Sequence, residues 1–228
     1  MSIRSWFKGW MGEIQGTLAK KIFLDSSIYI DINNVTIPTE NGTTQIDHVI
    51  ISRYGLFVVE TKNMNGWIFG DEKSPQWMQQ FFDKKYPFQN PLHQNYRHTK
   101  ALSAFLDVEH HKLFSIVMFW GNCEFKTPLP KNVMKSGYIS YIKSHTQVLF
   151  SDAEVRYMVA TLKSGMLPKS WATHRAHIAT LEKRFSNPNI CPKCGHALVL
   201  RMAKRGHHAG SPFYGCSHYP QCRYIKPL

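Results

Sequence analysis

The chain has 228 residues and five cysteines, and four of these, Cys191, Cys194, Cys216 and Cys222, lie in its last forty or so residues. A Cys-x-x-Cys turn presents two thiolates from one short knuckle, and zinc prefers four such ligands in a tetrahedron. Twenty-one residues separate Cys194 from Cys216, with Ala197 to Met202 and Ser211 to Tyr214 available as strands between the knuckles. Clustered cysteines in a reducing compartment bind metal in preference to forming disulfides, so this spacing predicts one zinc ion. Four sulfurs close the site and leave no open coordination position, which makes the zinc structural. His196, His207, His208 and His218 are therefore read as solvated side chains. Cys123, behind the apolar run Phe114 to Trp120, is read as a buried small side chain.

A second group with chemical potential is Asp47, Glu60 and Lys62. A tight hairpin with Ile51 opposite Leu56 places Val49 opposite Val58 and Asp47 opposite Glu60. Alternation then puts Asp47, Val49, Val58, Glu60 and Lys62 on one face. Two carboxylates across a strand pair, with side-chain carbons roughly 5 Å apart, repel unless something neutralises them. A divalent cation does so: Mg²⁺ takes one or two carboxylates plus water and phosphate oxygens, polarises the phosphoryl group and acidifies a bound water. Lys62 could position that water and offset charge on the phosphate. The competing reading is a charged, solvated end of a sheet, and spacing alone does not choose between them.

The elements that must carry these residues follow from periodicity. Residues 5 to 23 bring Trp6, Phe7, Trp10, Ile14, Leu18 and Ile22 to one helical face, with Glu13 among them. Ile28 to Ile32, Val35 to Ile37, Thr44 to Ile51 and Leu56 to Asn63 are β-branched and read as strands, with turns at Pro38 to Gly42 and Ser52 to Gly55. Trp67 to Gly70 reads as a short strand followed by a polar loop to Trp77. Pro91 opens a helix through Leu106, on which Gln94 and His98 share a face; His98 is either a phosphate contact or a packed histidine. Phe114 to Trp120 resembles a strand buried in a sheet. Tyr138 to Ile142 and Gln147 to Phe150 read as strands, Ser151 to Lys163 as a helix capped by its serine, and Trp171 to Phe185 as another. Together these predict an α/β domain, residues 1–186, with a central mixed sheet flanked by helices, and a zinc ribbon at residues 187–228.

Charge narrows the partner. Lys and Arg number 28 against 15 Asp and Glu, a net +13, and the tail beyond residue 186 contributes six cations and no acid. Nucleic acid is the leading anionic partner, with an anionic membrane surface second. No apolar run reaches the roughly 18 to 20 residues that cross a bilayer, and no signal peptide is read, so a cytoplasmic location is expected. In the tail, Arg201, Lys204, Arg205, Arg223 and Lys226 supply charge. Phe213, Tyr214, Tyr219 and Tyr224 supply rings for base stacking, worth about 1–3 kcal/mol per base, and about half of them are expected in the ribbon's own small core.

Two resemblances sharpen this reading. Both knuckles, with Gly195, Phe213-Tyr214-Gly215-Cys216 and Tyr219-Pro220-Gln221-Cys222-Arg223-Tyr224, resemble the C-terminal zinc ribbons of bacterial type IA DNA topoisomerases, which implies single-stranded DNA as a ligand. Gly12-Glu13, Gln45-Ile46-Asp47-His48, Gly55 to Asn63, Asn65-Gly66-Trp67-Ile68 and Asn90-Pro91-Leu92-His93-Gln94-Asn95 resemble the nuclease-related domain (NERD) of the PD-(D/E)XK nuclease superfamily. That resemblance implies a restriction-endonuclease-like fold and a Mg²⁺- or Mn²⁺-dependent deoxyribonuclease. It makes Asp47 and Glu60 the metal ligands and Lys62 the catalytic lysine, with Glu13 and Gln94 supporting the site. Ile46 stands where the superfamily's motif has proline. The rival functions are a DNA-binding protein without catalysis and a ribbon that serves as a protein-interaction module.

Overall fold

The structure, a computed structural model, describes residues 24–40 and 42–228. The helix expected over residues 5 to 23, and with it Glu13, lies outside the described residues.

The central sheet runs in the order β1-β2-β3-β7-β9. It comprises β1 (Ile30–Thr39), β2 (Gly42–Ser52), β3 (Gly55–Asn63), β7 (Leu113–Trp120) and β9 (Val133–Met134). The first three strands pair antiparallel, whereas β3 with β7 and β7 with β9 pair parallel, so the sheet is mixed. The β2–β3 register is the expected one, from Ser52 opposite Gly55 to His48 opposite Val59. Alternation feeds two cores. Val49, Ile51, Leu56 and Val58 pack on one face with Leu102, Leu106, Val155, Met158 and Leu162. On the other face Ile50, Phe57, Val59, Ile116 and Met118 meet Tyr138 and Ile142.

Helix α1 (Pro91–Leu106) lies across β3 and β7. Proline occupies its first turn, and the Asn90 side chain caps it by accepting from the Leu92 N–H at 2.9 Å. Its Asn95 amide nitrogen, fully buried, donates at 2.9 Å to Val58 O, to Ser115 Oγ and to Ile116 O, pinning the helix to two strands. Helix α2 (Tyr138–Lys143) covers the opposite face, and α3 (Asp152–Gly165) and α4 (Trp171–Ser186) complete the helical layer. Ser151 closes a capping box with Glu154 at the start of α3.

Three sequence expectations are corrected. Residues 138–142 form helix, because Gly137 at φ +81° starts the turn and Tyr138 and Ile142, four residues apart, are both buried on one face. Residues 147–150 form no strand; the N–H groups of Leu149 and Phe150 both donate to Arg53 O, a loop carbonyl, in place of a ladder. The polar stretch around Trp77 is a hairpin of β5 (Gln76–Phe81) and β6 (Lys84–Gln89), joined to β4 (Gly66–Phe69) and β8 (Cys123–Phe125) in a second sheet. Its glutamines and lysines lack a β-branched signature, and among residues 76–81 only Trp77 is buried. Cys123 is buried as expected, packed with Ile68, Trp77 and Phe119.

The tail folds as an antiparallel sheet of β10 (Leu198–Met202), β11 (Pro212–Cys216) and β12 (Ile225–Pro227) around the cysteines. Among the described residues no helix is long and apolar enough to cross a membrane. Asn95→Ala strips hydrogen-bond donors from buried carbonyls of β3 and β7, so it should lower unfolding free energy by about 1–3 kcal/mol. A urea denaturation series measures this, and an unchanged midpoint would show that Asn95 does not anchor the helix.

Candidate active site and zinc centre

Asp47 sits at a break in the sheet. Asn34 adopts a left-handed conformation, φ +53°, and the β1–β2 ladder skips the Asn34 and Asp47 positions while continuing on either side. The β2–β3 ladder ends one residue earlier, at His48. Released from pairing on both sides, Asp47 turns its carboxylate towards Thr61. Its Oδ2 accepts from the Thr61 N–H at 2.8 Å and from the Thr61 hydroxyl at 2.6 Å.

Glu60, on the next strand, is 3% exposed beneath α1. Lys62 Nζ donates to Glu60 Oε1 at 2.6 Å and to Gln94 Oε1 at 2.9 Å, so strand and helix meet at one ammonium group. His98 Nε2 lies 3.2 Å from Glu60 Oε2, and its Nδ1 lies 2.8 Å from Thr44 Oγ1. His98 is thus packed against the carboxylate and also lines the cleft onto which Lys62 and Gln94 open. Despite the short distance, neither Oε2 nor Nε2 completes an aligned hydrogen bond among the described residues.

The two carboxyls titrate apart. Burial raises Asp47 and the neighbouring Glu60 charge raises it further, to about 6, against the opposing Thr61 hydrogen bonds. Burial also pushes Glu60 up, but Lys62 and then His98 outweigh it and hold Glu60 at about 2. Burial keeps His98 itself below the ordinary histidine value, so near neutrality Lys62 is the cation that balances Glu60. Asp47 binds its proton more tightly when folded, so stability falls as pH rises from about 4 to about 6. At pH 7 the penalty is about 3 kcal/mol. The chemistry of this donor set suits a dication: the Glu60 charge already raises the proton affinity of Asp47, and a bound cation would offset it, while Glu60 Oε2 makes no aligned hydrogen bond among the described residues.

Lys62, Gln94 and His98 open onto a cleft of about 440 Å³, walled also by Thr44, Arg97 and His177. Of the expected site residues, Lys62 and Gln94 line this cleft, Glu60 is bonded to Lys62, Asp47 interacts electrostatically with Glu60 and Lys62, and Glu13 lies outside the described residues. Thr61 and Thr44 were not singled out by sequence; Thr61, between Glu60 and Lys62 on the opposite face, carried no signal of its own.

In the ribbon the four sulfurs all lie within 4.8 Å of one another. Cys191 and Cys222 are 3.8 Å apart and Cys194 and Cys216 3.2 Å. A tetrahedron of about 2.3 Å Zn–S bonds has edges of about 3.8 Å, so the set fits zinc. Gly195 at φ +81° turns the first knuckle, and the His218 N–H donates to Cys216 Sγ at 3.4 Å. Tyr214 and Tyr224 pack on the cysteines, while Tyr219 is 59% exposed and stacks under Arg201. Phe213 is half-buried, and Lys204, Arg205 and Arg223 are exposed. His207 and His208 are solvated as expected, but His196 and His218 stack on each other, 4.1 Å between centroids, and are half-buried.

The ribbon is fastened to the helix that carries Gln94 and His98. Arg97 Nη1 donates to Pro192 O in the first knuckle, and Tyr96 Oη donates to Gln221 O at 2.9 Å. Lys193 Nζ sits 5.1 Å over the Tyr96 ring, and His93 meets Tyr224 edge to face.

Residues 8–120 match the nuclease-related domain family, and residues 188–228 match the topoisomerase DNA binding C4 zinc finger. An uncharacterized protein of Bacillus anthracis is 37% identical over 189 residues, 78% of this chain and 86% of that protein. The uncharacterized protein YrdD of Escherichia coli K12 is 52% identical over 42 residues, 18% of this chain and 21% of its own length. DNA topoisomerase 1 of Methanocaldococcus jannaschii is 49% identical over 39 residues, 17% of this chain and 4% of that protein. No solved structure matches the chain.

The zinc centre is open to direct measurement. Purified chain should carry one zinc per molecule by elemental analysis, and Cys216→Ser should lose it, since three thiolates leave the tetrahedron open. Full zinc retention by that variant would mean that the four sulfurs are not the ligand set.

Proposed function

Because the chain belongs to the nuclease-related domain family and ends in a topoisomerase-type zinc ribbon, we propose that it is a metal-dependent deoxyribonuclease. In this reading residues 1–186 hydrolyse the DNA backbone and residues 187–228 capture DNA, in the cytoplasm. The observation that carries it is the Lys62 ammonium, which lines the cleft and is bonded to both Glu60 and Gln94.

Asp47 and Glu60 would hold Mg²⁺ or Mn²⁺, which supplies phosphoryl polarisation and a more acidic bound water. The protein's own groups do the rest. Gln94 holds Lys62 in place from the helix side. Lys62 donates to the attacking water or the phosphate oxygen and balances charge as it develops. His98 fills the space behind Glu60 and keeps bulk water from it. Glu13 is proposed as a further carboxylate for the metal shell. On the ribbon, Arg201, Lys204, Arg205 and Arg223 meet phosphates, and Phe213, Tyr214, Tyr219 and Tyr224 are the stacking candidates. Tyr219 is the most exposed of these rings, which supports giving it the larger share.

One observation favours a second reading, DNA binding without catalysis: the 2.6 Å Lys62–Glu60 ion pair occupies an oxygen that a metal could use. The two readings separate experimentally. Supercoiled and linear DNA should be cut with Mg²⁺ or Mn²⁺, and Asp47→Asn and Glu60→Gln should abolish cutting. Lys62→Ala should lower kcat about 10²–10³-fold, the range for loss of one electrostatic donor. Mg²⁺ should also raise the Tm of the wild type more than that of Asp47→Asn. Intact DNA under every condition, with no metal-induced Tm shift, would leave the second reading.

A further inference from the structure

Three cavities are related by shared wall residues. The first, about 530 Å³, lies on the ribbon face and is walled by Arg201, Lys204, Tyr219, Arg223 and Tyr224. The second, about 640 Å³, runs between the ribbon and the base of the β5–β6 hairpin; Tyr224 and Lys226 line one side, and Gln76, Phe88 and Gln89 the other. The third is the 440 Å³ cleft at Lys62, Gln94 and Arg97. Tyr224 belongs to the first and second, while Phe88 and Gln89 belong to the second and third. The shared residues lead stepwise from the ribbon to the candidate active site.

From this adjacency we infer that the three cavities act as one groove, a track for one unpaired DNA strand bound by ribbon and cleft at the same time. The inference rests on the nuclease reading for what happens at the far end, but the binding it describes needs no catalysis. Charge complementarity identifies the occupant. Six cations line the three cavities, Arg201, Lys204, Arg223, Lys226, Arg97 and Lys62, and no Asp or Glu is among the described residues that line them. Asp47 and Glu60 are not among the residues that line the cavities. Rings recur along the path at Tyr219, Tyr224 and Phe88, at positions where successive bases can stack. Cavities in the range of about 300–1,000 Å³ accommodate small-ligand-sized groups, the scale of individual nucleotides.

A strand that reaches from one end to the other converts the second contact into an intramolecular one, so affinity rises steeply once the strand spans both sites. The test measures fluorescence anisotropy of the full chain with fluorescein-labelled oligothymidylates of five and thirty nucleotides and with a thirty-pair duplex, without added divalent cation. Gln76, exposed and midway along the groove, touches neither the zinc nor the carboxylates. The thirty-nucleotide strand should bind at least roughly tenfold tighter than the five-nucleotide strand and than the duplex. Gln76→Glu should remove most of that advantage, and Gln76→Lys should preserve or increase it. Equal binding of the long strand by wild type and Gln76→Glu, or duplex binding as tight as single-strand binding, overturns the track. A chain that binds as expected but never cuts DNA would sink the nuclease reading and leave the track standing. One that cuts but ignores the Gln76 substitutions would do the reverse.

Discussion

A carboxylate held 3% exposed under a helix must be compensated where it stands, and the compensation of Glu60 organises the rest of the molecule. The nearest cation, Lys62, comes from the same strand two residues on, so it reaches Glu60 whatever the helix does. It stays ordered because Gln94 takes its second hydrogen bond from α1. That contact requires α1 to sit at one height above β3, and Asn95, the next residue, sets the height by bonding to Val58 O and Ile116 O. A polar site and a buried structural amide thus occupy adjacent positions of one helical turn. Loosening the amide would loosen the ammonium.

The same helix turns a third side to the ribbon. Gln94 and His98 face the cleft, Asn95 and Leu102 face the sheet, and His93, Tyr96 and Arg97 meet the zinc knuckles. Arg97 is 7% exposed, lines the cleft and donates to the carbonyl of Pro192, between two zinc ligands. The same guanidinium faces the Gln89 side-chain amide at the end of β6, so it links the knuckle, the hairpin and α1. The knuckle that would hold zinc is thereby tied to the cleft through Arg97.

Much of this was readable in the residues. The β2–β3 register, the proline-opened helix, the capped α3 and the four-cysteine site all rest on local signals, namely alternation, capping and ligand spacing, and the structure keeps them. What escaped depends on partners far apart in sequence. Tyr138 to Ile142 has strand-forming residues, yet Gly137 and the demand to cover Phe57 and Ile116 make it a helix. The β5–β6 hairpin has little apolar pattern because its only fully buried ring, Trp77, packs on Phe119 of β7. Asp47 was expected to pair across from Glu60. The left-handed Asn34 and the early end of the β2–β3 ladder instead free it to accept from Thr61, a detail no alternation rule contains.

The ribbon changes most when these links are combined. As sequence it is a basic, aromatic grip on a linker, Asn187 to Asn189, and its position relative to the carboxylates is undetermined. In the fold, Tyr96 and Arg97 dock it against α1, and docking creates the groove between Tyr224 and Phe88 that neither part has alone. Half of the expected stacking rings, Tyr214 and Tyr224, pack on the cysteines. Tyr224 nevertheless lines both neighbouring cavities, so core packing and surface shape are functions of one side chain. A cysteine core that presents one ring to two cavities would couple a bound zinc to their shape without the metal touching them.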